Sequence, residues 1–210
     1  MNRDAEFWDR AAEKYARSPI KDIKSYEYTL ERTRSFLPPH AGVLEAGCGT
    51  GTTALRLAGS TAHILGTDIS AAMIEIARRK LLEPDAPVNV TFEVAALDDE
   101  SLPEGPFDAV MAFNILHLSR NLDAALAALA RRVRPGGLFI SKTVCLSDSP
   151  YRLLRPVLGL MKLAGKAPHV LFLSRKLLDD RVTAHGFEIL ETGDFPASPP
   201  CHFIVARRMA

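Results

Sequence analysis

The chain has 210 residues and is 47% hydrophobic, which is enough to bury the core of one α/β domain and short for two. Its 26 basic and 25 acidic side chains nearly cancel. This balance disfavours nucleic-acid binders, which usually carry a clear basic excess. Cys48, Cys145 and Cys201 are odd in number and widely spaced, which argues against a disulfide framework and a zinc site and predicts reduced thiols.

The first 19 residues mix charges throughout and contain no apolar core of a secretory signal. Nowhere does the chain reach the roughly 18 uninterrupted apolar residues that a membrane-spanning helix requires. We therefore expect a soluble cytoplasmic protein.

The first predicted elements are one or two amphipathic helices between Ala5 and Leu37, broken near Ser18 and Pro19. Short apolar runs then alternate with helical patterns. Strands are predicted at residues 43–46, 63–67, 89–94, 107–113 and 137–144, and helices at 51–58, 70–82 and 121–133. Such alternation indicates βαβ crossovers and a parallel sheet.

The pattern changes after residue 144. Residues 147–176 form an insertion, which is followed by a predicted helix at 176–185. Two further strands are expected at 187–192 and 202–207. Because a proline-rich loop joins these two strands, we predict an antiparallel hairpin at the edge of the sheet.

The loop "VLEAGCGTG" at residues 43–51 ends the first strand and places Gly47, Gly49 and Gly51 at alternate positions. In doubly wound sheets, ligands bind beyond the carboxyl ends of the strands, beside such a turn. The missing Cβ atoms let a ligand lie against the backbone, and the following helix offers free N–H groups. The loop therefore predicts a site for an anionic group.

Asp68 ends the next strand, "HILGTDIS", about 20 residues after the loop, the spacing at which an acid reaches the hydroxyls of a ribose. A nucleoside is thus expected, and both NAD and S-adenosylmethionine remain open at this point. The glycines follow G-x-G-x-G, whereas the dinucleotide pattern is G-x-G-x-x-G. Glu45, two residues before the first glycine, would repel a pyrophosphate and attract an ammonium.

The chain resembles the class I S-adenosylmethionine-dependent methyltransferases, especially the small-molecule and ubiquinone-biosynthesis-like branch. The similar motifs follow in order over residues 41–144: "VLEAGCGTG", "GTDIS" followed by Met73, "VAALDD", "FDAVMAFNILHL" and "RPGGLFI". The resemblance implies a Rossmann-like α/β fold with seven strands. The sheet is expected to be mostly parallel with an antiparallel C-terminal edge hairpin, and helices should cover both faces.

We expect a single domain over residues 1–210. Its parts are an N-terminal helical cap (1–40), a cofactor-binding core (41–144), a lid-like insertion (147–176) and a C-terminal helix and hairpin (177–210).

The resemblance also implies how the methionine part of the cofactor is held. The backbone of residues 47–49 (Gly47, Cys48 and Gly49) would lie along it, with Glu45 near its amino group. Asn114, after the fourth strand, would bind the ammonium through its carbonyl or side chain. Tyr15 matches a tyrosine that closes over the cofactor from the N-terminal helix.

The adenosine part is assigned in the same way. Asp68 would bind the ribose hydroxyls, Ile69 and Met73 would sandwich the adenine, and Ala96 and Leu97 would border its edge. Many relatives carry an acid in this last segment, whereas here the acids come later, at Asp98 and Asp99. We expect Asp98 to take the place of that acid at the adenine amino group.

Methyl transfer from a sulfonium is an in-line displacement, so no catalytic triad is required. His117 is placed to act as a general base for a hydroxyl or phenol acceptor. The alternative is that it caps the following helix or binds a loop carbonyl. We predict no metal, because Asp148 alone after the fifth strand is not a carboxylate cluster.

The insertion contains no acid between Ser149 and Lys176 and predicts a basic amphipathic helix. Such a helix could cover an apolar acceptor, rest on anionic lipid through residues 151–166, or be a lid with an ordinary solvated face. The basic residues share one helical face and the apolar ones line another: Arg152, Arg155, Lys162 and Lys166, and Leu154, Leu158 and Met161.

Our interpretation is an S-adenosylmethionine-dependent methyltransferase acting on a small, apolar or lipid-like acceptor. The alternatives are an NAD-dependent oxidoreductase and a non-catalytic cofactor-binding or membrane-surface protein. Nucleic-acid methylation is disfavoured, because "FNIL" at residues 113–116 lacks the motif that holds a flipped base.

Overall fold

In the computed structural model, which describes residues 3–97, 101–163 and 167–210, seven strands form one mixed sheet. The strands are β1 (Gly42–Ala46), β2 (His63–Asp68), β3 (Val90–Val94), β4 (Phe107–Phe113), β5 (Val133–Val144), β6 (Phe187–Ala197) and β7 (Pro200–Arg208). The helices are α1 (Arg3–Arg17), α2 (Ile23–Phe36), α3 (Thr52–Leu57), α4 (Ala71–Lys80), α5 (Leu122–Arg132), α6 (Arg155–Leu163) and α7 (Arg175–Ala184).

The strand order is β3-β2-β1-β4-β5-β7-β6. Strands β1 to β5 pair in parallel, whereas β7 is antiparallel to both β5 and β6. Chain order reverses between β1 and β4, and in open α/β sheets this is where a crevice forms beyond the carboxyl ends. The predicted seven-stranded, mostly parallel sheet with an antiparallel C-terminal hairpin is confirmed.

Alternate residues along each strand face opposite sides of the sheet and feed two separate cores. On β1, Leu44 packs into the core that includes α5 and α7, whereas Val43 packs into the core that includes α2, α3 and α4. The central strand β4 divides in the same way, with Val110 on the first side and Met111 on the second. Helices therefore cover both faces.

Three predicted strand boundaries in the second half were wrong. Strand β5, expected from residue 137, begins at Val133, which pairs with Phe107 before a register shift, so "RPGG" lies within the strand. The hairpin strands extend through most of the predicted loop. Pro196 is tolerated because β6 is an edge strand, and Pro200 because it is the first residue of β7.

Among the described residues, the insertion contains the short helix α6, and apolar residues within it and just before it lie in solvent. The Leu153 and Leu160 side chains are 76% and 70% exposed. Lys166 and the side chains of Leu158 and Lys162 lie outside the described residues, so the predicted basic face is only partly described. None of the helices in the described ranges combines the length and apolar character needed to cross a membrane.

Candidate functional site

The glycine loop after β1 has left-handed backbone at each of its three glycines, with φ of +71°, +54° and +74° at Gly47, Gly49 and Gly51. At Gly47 a Cβ would lie 2.5 Å from Cγ1 of Ile115, so the loop after β4 packs directly against this residue. At Gly49 the nearest atom would be Cε1 of Tyr15, at 3.8 Å. Gly47 thus serves packing, and Gly49 leaves backbone open to a ligand.

Asp68, at the end of β2, joins the glycine loop to the turn between β2 and α4. Its Oδ2 accepts a hydrogen bond from the Gly49 N–H and its Oδ1 accepts one from the Ser70 N–H, both at 2.9 Å. Burial raises the pKa of the Asp68 carboxyl, and the backbone hydrogen bonds from Ser70 and Gly49 oppose the shift. The carboxyl therefore has a defined position on the floor of the crevice.

Glu45, the penultimate residue of β1, is a buried carboxyl with one unsatisfied oxygen. It is 2% exposed, and its Oε2 has no hydrogen-bond partner among the described residues. Burial raises the pKa of Glu45 to about 8; the Ala54 N–H opposes this shift and the charge of Asp68 adds to it. A ligand ammonium beside this carboxyl would supply the missing partner and favour its ionised form.

Helix α1 covers the crevice and brings Tyr15 over the glycine loop. Asp9, which the sequence did not single out, holds the helix there. Its Oδ1 accepts hydrogen bonds from Ser70 Oγ at 2.6 Å and from the Ala72 N–H at 3.1 Å. Burial raises the pKa of the Tyr15 phenol, with smaller contributions from Asp68 and Glu45. Tyr15 therefore lies close to both acids.

Asn114 follows β4 on the other side of the crevice. Its φ is +56°, a conformation that non-glycine residues rarely adopt and that asparagine tolerates best. Its N–H donates to the carbonyl of Lys142 at 2.7 Å, and its Oδ1 accepts from the Cys201 thiol at 3.5 Å. The strained backbone is thus held by β5 and β7.

The residues assigned to the adenine are less open. Met73 is 2% exposed and packs with Ala12 beneath α1, whereas Ile69 and Leu97 are half-buried. The Ala96 N–H donates to Ser101 Oγ at 3.1 Å. Asp98 and Asp99 lie outside the described residues. Adenine contacts by these residues stay predictions.

His117 lies in a short 3-10 turn, Leu116–Leu118, beyond β4. Burial lowers the pKa of His117 to about 4, so its imidazole is neutral at physiological pH. Its Nδ1 has no hydrogen-bond partner within the described part of the chain. The cap of α5 is Asn121, so His117 does not take the helix-capping role considered above.

Cys48 is a buried filler within the loop. Burial raises the pKa of its thiol well above the ordinary value, which leaves no reactive thiolate. Across residues 3–97, 101–163 and 167–210, no three His, Cys, Asp or Glu side chains are grouped so that they could hold a metal ion.

An open pocket lies beside the crevice, between α2 and the ends of β4 and β5. Thr53, at the start of α3, and Asn114 both line this pocket, so the pocket begins where the glycine loop and the loop after β4 meet. The other lining residues include Tyr26, Leu30, Phe113 and Lys142.

Comparison with known proteins identifies the family. A family model described as a methyltransferase domain matches residues 43–137. The ubiquinone biosynthesis O-methyltransferase of Thiobacillus denitrificans is 31% identical over 168 residues, which cover 78% of this chain and 68% of the relative. The chain belongs to the S-adenosylmethionine-dependent methyltransferases.

Two further relatives show how far this likeness extends. The methyltransferase nsrG of Aspergillus novofumigatus is 32% identical over 139 residues, covering 65% of this methyltransferase and 51% of nsrG. The chain therefore spans about half the length of that relative. The magnesium protoporphyrin IX methyltransferase of Synechocystis, solved with bound S-adenosylhomocysteine, shares the fold with a TM-score of 0.69 and 21% identity over 98% of this chain and 95% of its own.

Gly47 in the glycine loop and Gly136 in β5 allow a matched pair of substitutions. We expect Gly136→Ala to lower the free energy of unfolding by roughly 1–2 kcal/mol, because its φ of +74° is unfavourable for alanine. Apart from its chain neighbours, no heavy atom lies within 4 Å of the added Cβ, so this variant has no steric cost. Gly47→Ala has the same backbone cost and also meets Ile115, so we expect about 1–3 kcal/mol more. Urea unfolding measures both. Equal losses would contradict the assigned packing role of Gly47.

Proposed function

We propose that this methyltransferase transfers the methyl group of S-adenosylmethionine to a small acceptor with an apolar or lipid-like body. The observation that carries the proposal is the buried Glu45 carboxyl with its unpartnered Oε2, next to a glycine loop that is open at Gly49. This pair suits a ligand with an ammonium and argues against the pyrophosphate of NAD. Membership of the family supports the same cofactor.

The chain's own residues divide the binding task. Glu45 and Asn114 would hold the amino group, the loop backbone at Gly49 would lie along the methionine carboxylate, and Asp68 would bind the ribose. Asp68 already accepts one N–H on each oxygen, which leaves lone pairs on both for hydroxyl donors. When bound, the cofactor supplies a methyl group already activated on a sulfonium. Tyr15 and α1 would exclude water from it.

The acceptor would enter the pocket between α2 and the ends of β4 and β5. Tyr26, Leu30 and Phe113 give it an apolar wall. The insertion contacts the loop after β4, because the Leu171 N–H donates to the His117 carbonyl at 2.6 Å. Leu171 and Leu173 pack against the core that includes α5 and α7.

Proton linkage tests the role of Glu45. Below pH 8 the free protein carries a protonated Glu45, and a bound ammonium would lower its pKa. At pH 6.5 we expect S-adenosylhomocysteine to release nearly one proton on binding, measured by calorimetry in two buffers of different ionisation enthalpy. Glu45→Gln should remove this release and weaken binding.

The matched ligand for that experiment is 5′-methylthioadenosine, which keeps the nucleoside and lacks the amino acid. Its binding should release no proton. A wild-type protein that binds NADH instead of S-adenosylhomocysteine, or that releases no proton with the latter, would overturn the proposed site.

His117 is our proposed general base for a hydroxyl acceptor, supported by its neutral ring and unpartnered Nδ1. We expect His117→Ala to leave S-adenosylhomocysteine affinity unchanged and to lower kcat by about 10-fold or more on such an acceptor, at the weak end of acid–base effects because the pKa is low. Steady-state kinetics and a binding titration separate the two effects. Unchanged turnover would exclude the base role.

The exposed apolar side chains of the insertion support peripheral contact with an anionic membrane through residues 151–166. Arg152 accompanies them, and the segment contains no acid. We expect the protein to float with phosphatidylglycerol vesicles and the double variant Leu153→Asp, Leu160→Asp to lose this binding. Neutral phosphatidylcholine vesicles are the control, and equal flotation of wild type and variant would contradict the contact.

A further inference from the structure

Lys142 is a buried lysine that the chain leaves incompletely partnered. The residue is 8% exposed, and its Nζ lies 3.2 Å from Thr29 Oγ1 and 3.5 Å from the Ser25 carbonyl. No ion pair joins it to a carboxylate of the described residues. An ammonium has three protons to donate, so two neutral acceptors, one of them at the limit of a hydrogen bond, do not satisfy it.

Another buried cation shows what a purely structural role looks like here. Arg132 is 6% exposed and also lacks a carboxylate partner in the described chain, yet its guanidinium donates to the carbonyls of Leu102, Pro103 and Ala128 at 2.6 to 2.9 Å. That side chain connects the segment before β4 to α5. Lys142 has no comparable set of acceptors.

The position of Lys142 in the sheet makes its charge costly. Ile140, two residues earlier on the same face of β5, is fully buried in the core beside α2, so an apolar residue would suit this face. Burial accordingly lowers the pKa of the Lys142 ammonium, and Cys201 and Asp22 oppose this shift only in part. A costly charge in a pocket is typical of a binding site.

The pocket places this ammonium beside the proposed methyl-transfer site. Lys142 pairs with Phe113 across the β4–β5 ladder, and its carbonyl holds Asn114. Both neighbours line the same pocket as Tyr26 and Leu30. An acceptor there would have its body against the apolar wall and one end near Nζ.

We propose that Lys142 determines acceptor specificity by binding an anionic oxygen, a carboxylate or a phenolate, on an otherwise apolar acceptor. The inference rests on the proposed function, because it assigns the pocket to the acceptor. It narrows the substrate class from apolar molecules in general to apolar acids. The anion supplies the direct ionic partner that Lys142 lacks among the described residues, and the apolar wall holds the remaining part of the acceptor.

The test uses small probes of matched shape with the protein saturated by S-adenosylhomocysteine. Benzoate, 4-nitrophenolate and neutral benzamide are titrated at about pH 7.5 and followed by ligand-observed NMR. We expect at least one of the two anions to bind more tightly than benzamide, and the preferred anion distinguishes a carboxylate from a phenolate acceptor. Lys142→Met should weaken the binding of the preferred anion by about 10-fold or more, because it removes a charge-assisted hydrogen bond.

Three controls accompany this variant. Lys142→Arg should keep the preference for the anion, since it keeps the charge. Lys24→Met removes an exposed lysine of α2 and should bind the anion as wild type does. S-Adenosylhomocysteine affinity and the melting temperature of Lys142→Met should stay close to wild type.

The results separate this inference from the proposed function. If the protein binds S-adenosylhomocysteine but prefers neither anion to benzamide, or if Lys142→Met binds the anion unchanged, the inference is overturned and the proposed function stands. If Lys142→Met loses anion binding, cofactor affinity and thermal stability together, Lys142 is a structural tie to α2, and the inference is also overturned. If wild type does not bind S-adenosylhomocysteine, both fail.

Discussion

The site depends on the carboxylate of Asp68, which fixes the relative positions of the segments that form it. One oxygen holds the glycine loop at Gly49 and the other holds the start of α4 at Ser70. The Ser70 hydroxyl then donates to Asp9 and so positions α1, which carries Tyr15. Buried carboxylates are costly unless they are hydrogen-bonded, and these N–H groups supply that compensation. A single acid therefore organises both the floor and the cover of the crevice.

Buried charges divide the site into two halves. Glu45 and Asp68 lie on the β1–β2 side, where the proposed ligand brings an ammonium and ribose hydroxyls. Lys142 lies on the β5 side, next to the apolar wall. In the protein without ligand, burial disfavours the ionised form of each of these groups, and Glu45 is protonated below pH 8. Ligand groups of opposite charge would stabilise the ionised side chains in both halves. Binding would therefore offset the free-energy cost of burying these charges.

Most of the fold was predictable because local signals agree with the tertiary structure. Apolar runs at the right spacing located every strand, and the caps at Ser70 and Asn121 begin their helices close to the expected residues. The start of β5 was not predictable, because "RPGG" is a typical stop signal and only the pairing of Val133 with Phe107 overrides it. Pairing between β6 and β7 likewise continues past Pro196 and from Pro200, where the sequence predicted a loop.

The site was predictable only where a residue lies in a motif. The glycines, Glu45 and Asp68 stand in one contiguous pattern, whereas Asp9 acts on Ser70 across 61 positions and Lys142 acts on Thr29 across 113. In sequence, Asp9 is one of several charges on an amphipathic helix, and Lys142 is one polar residue in an apolar strand. Nothing local distinguishes them from solvated side chains.

The insertion combines an anchored end with an exposed apolar turn. Residues 171–173 of the insertion are held by main-chain and side-chain hydrogen bonds: Leu171 to the His117 carbonyl, and Ser147 to the carbonyls of Phe172 and Leu173. The turn before α6 has no such anchoring on its apolar side, since Leu153 is 76% exposed. The anchored part lies against the core that includes α5 and α7. The exposed part is the surface of the proposed membrane contact, and an acceptor with an apolar body and a charged end would partition to the same interface.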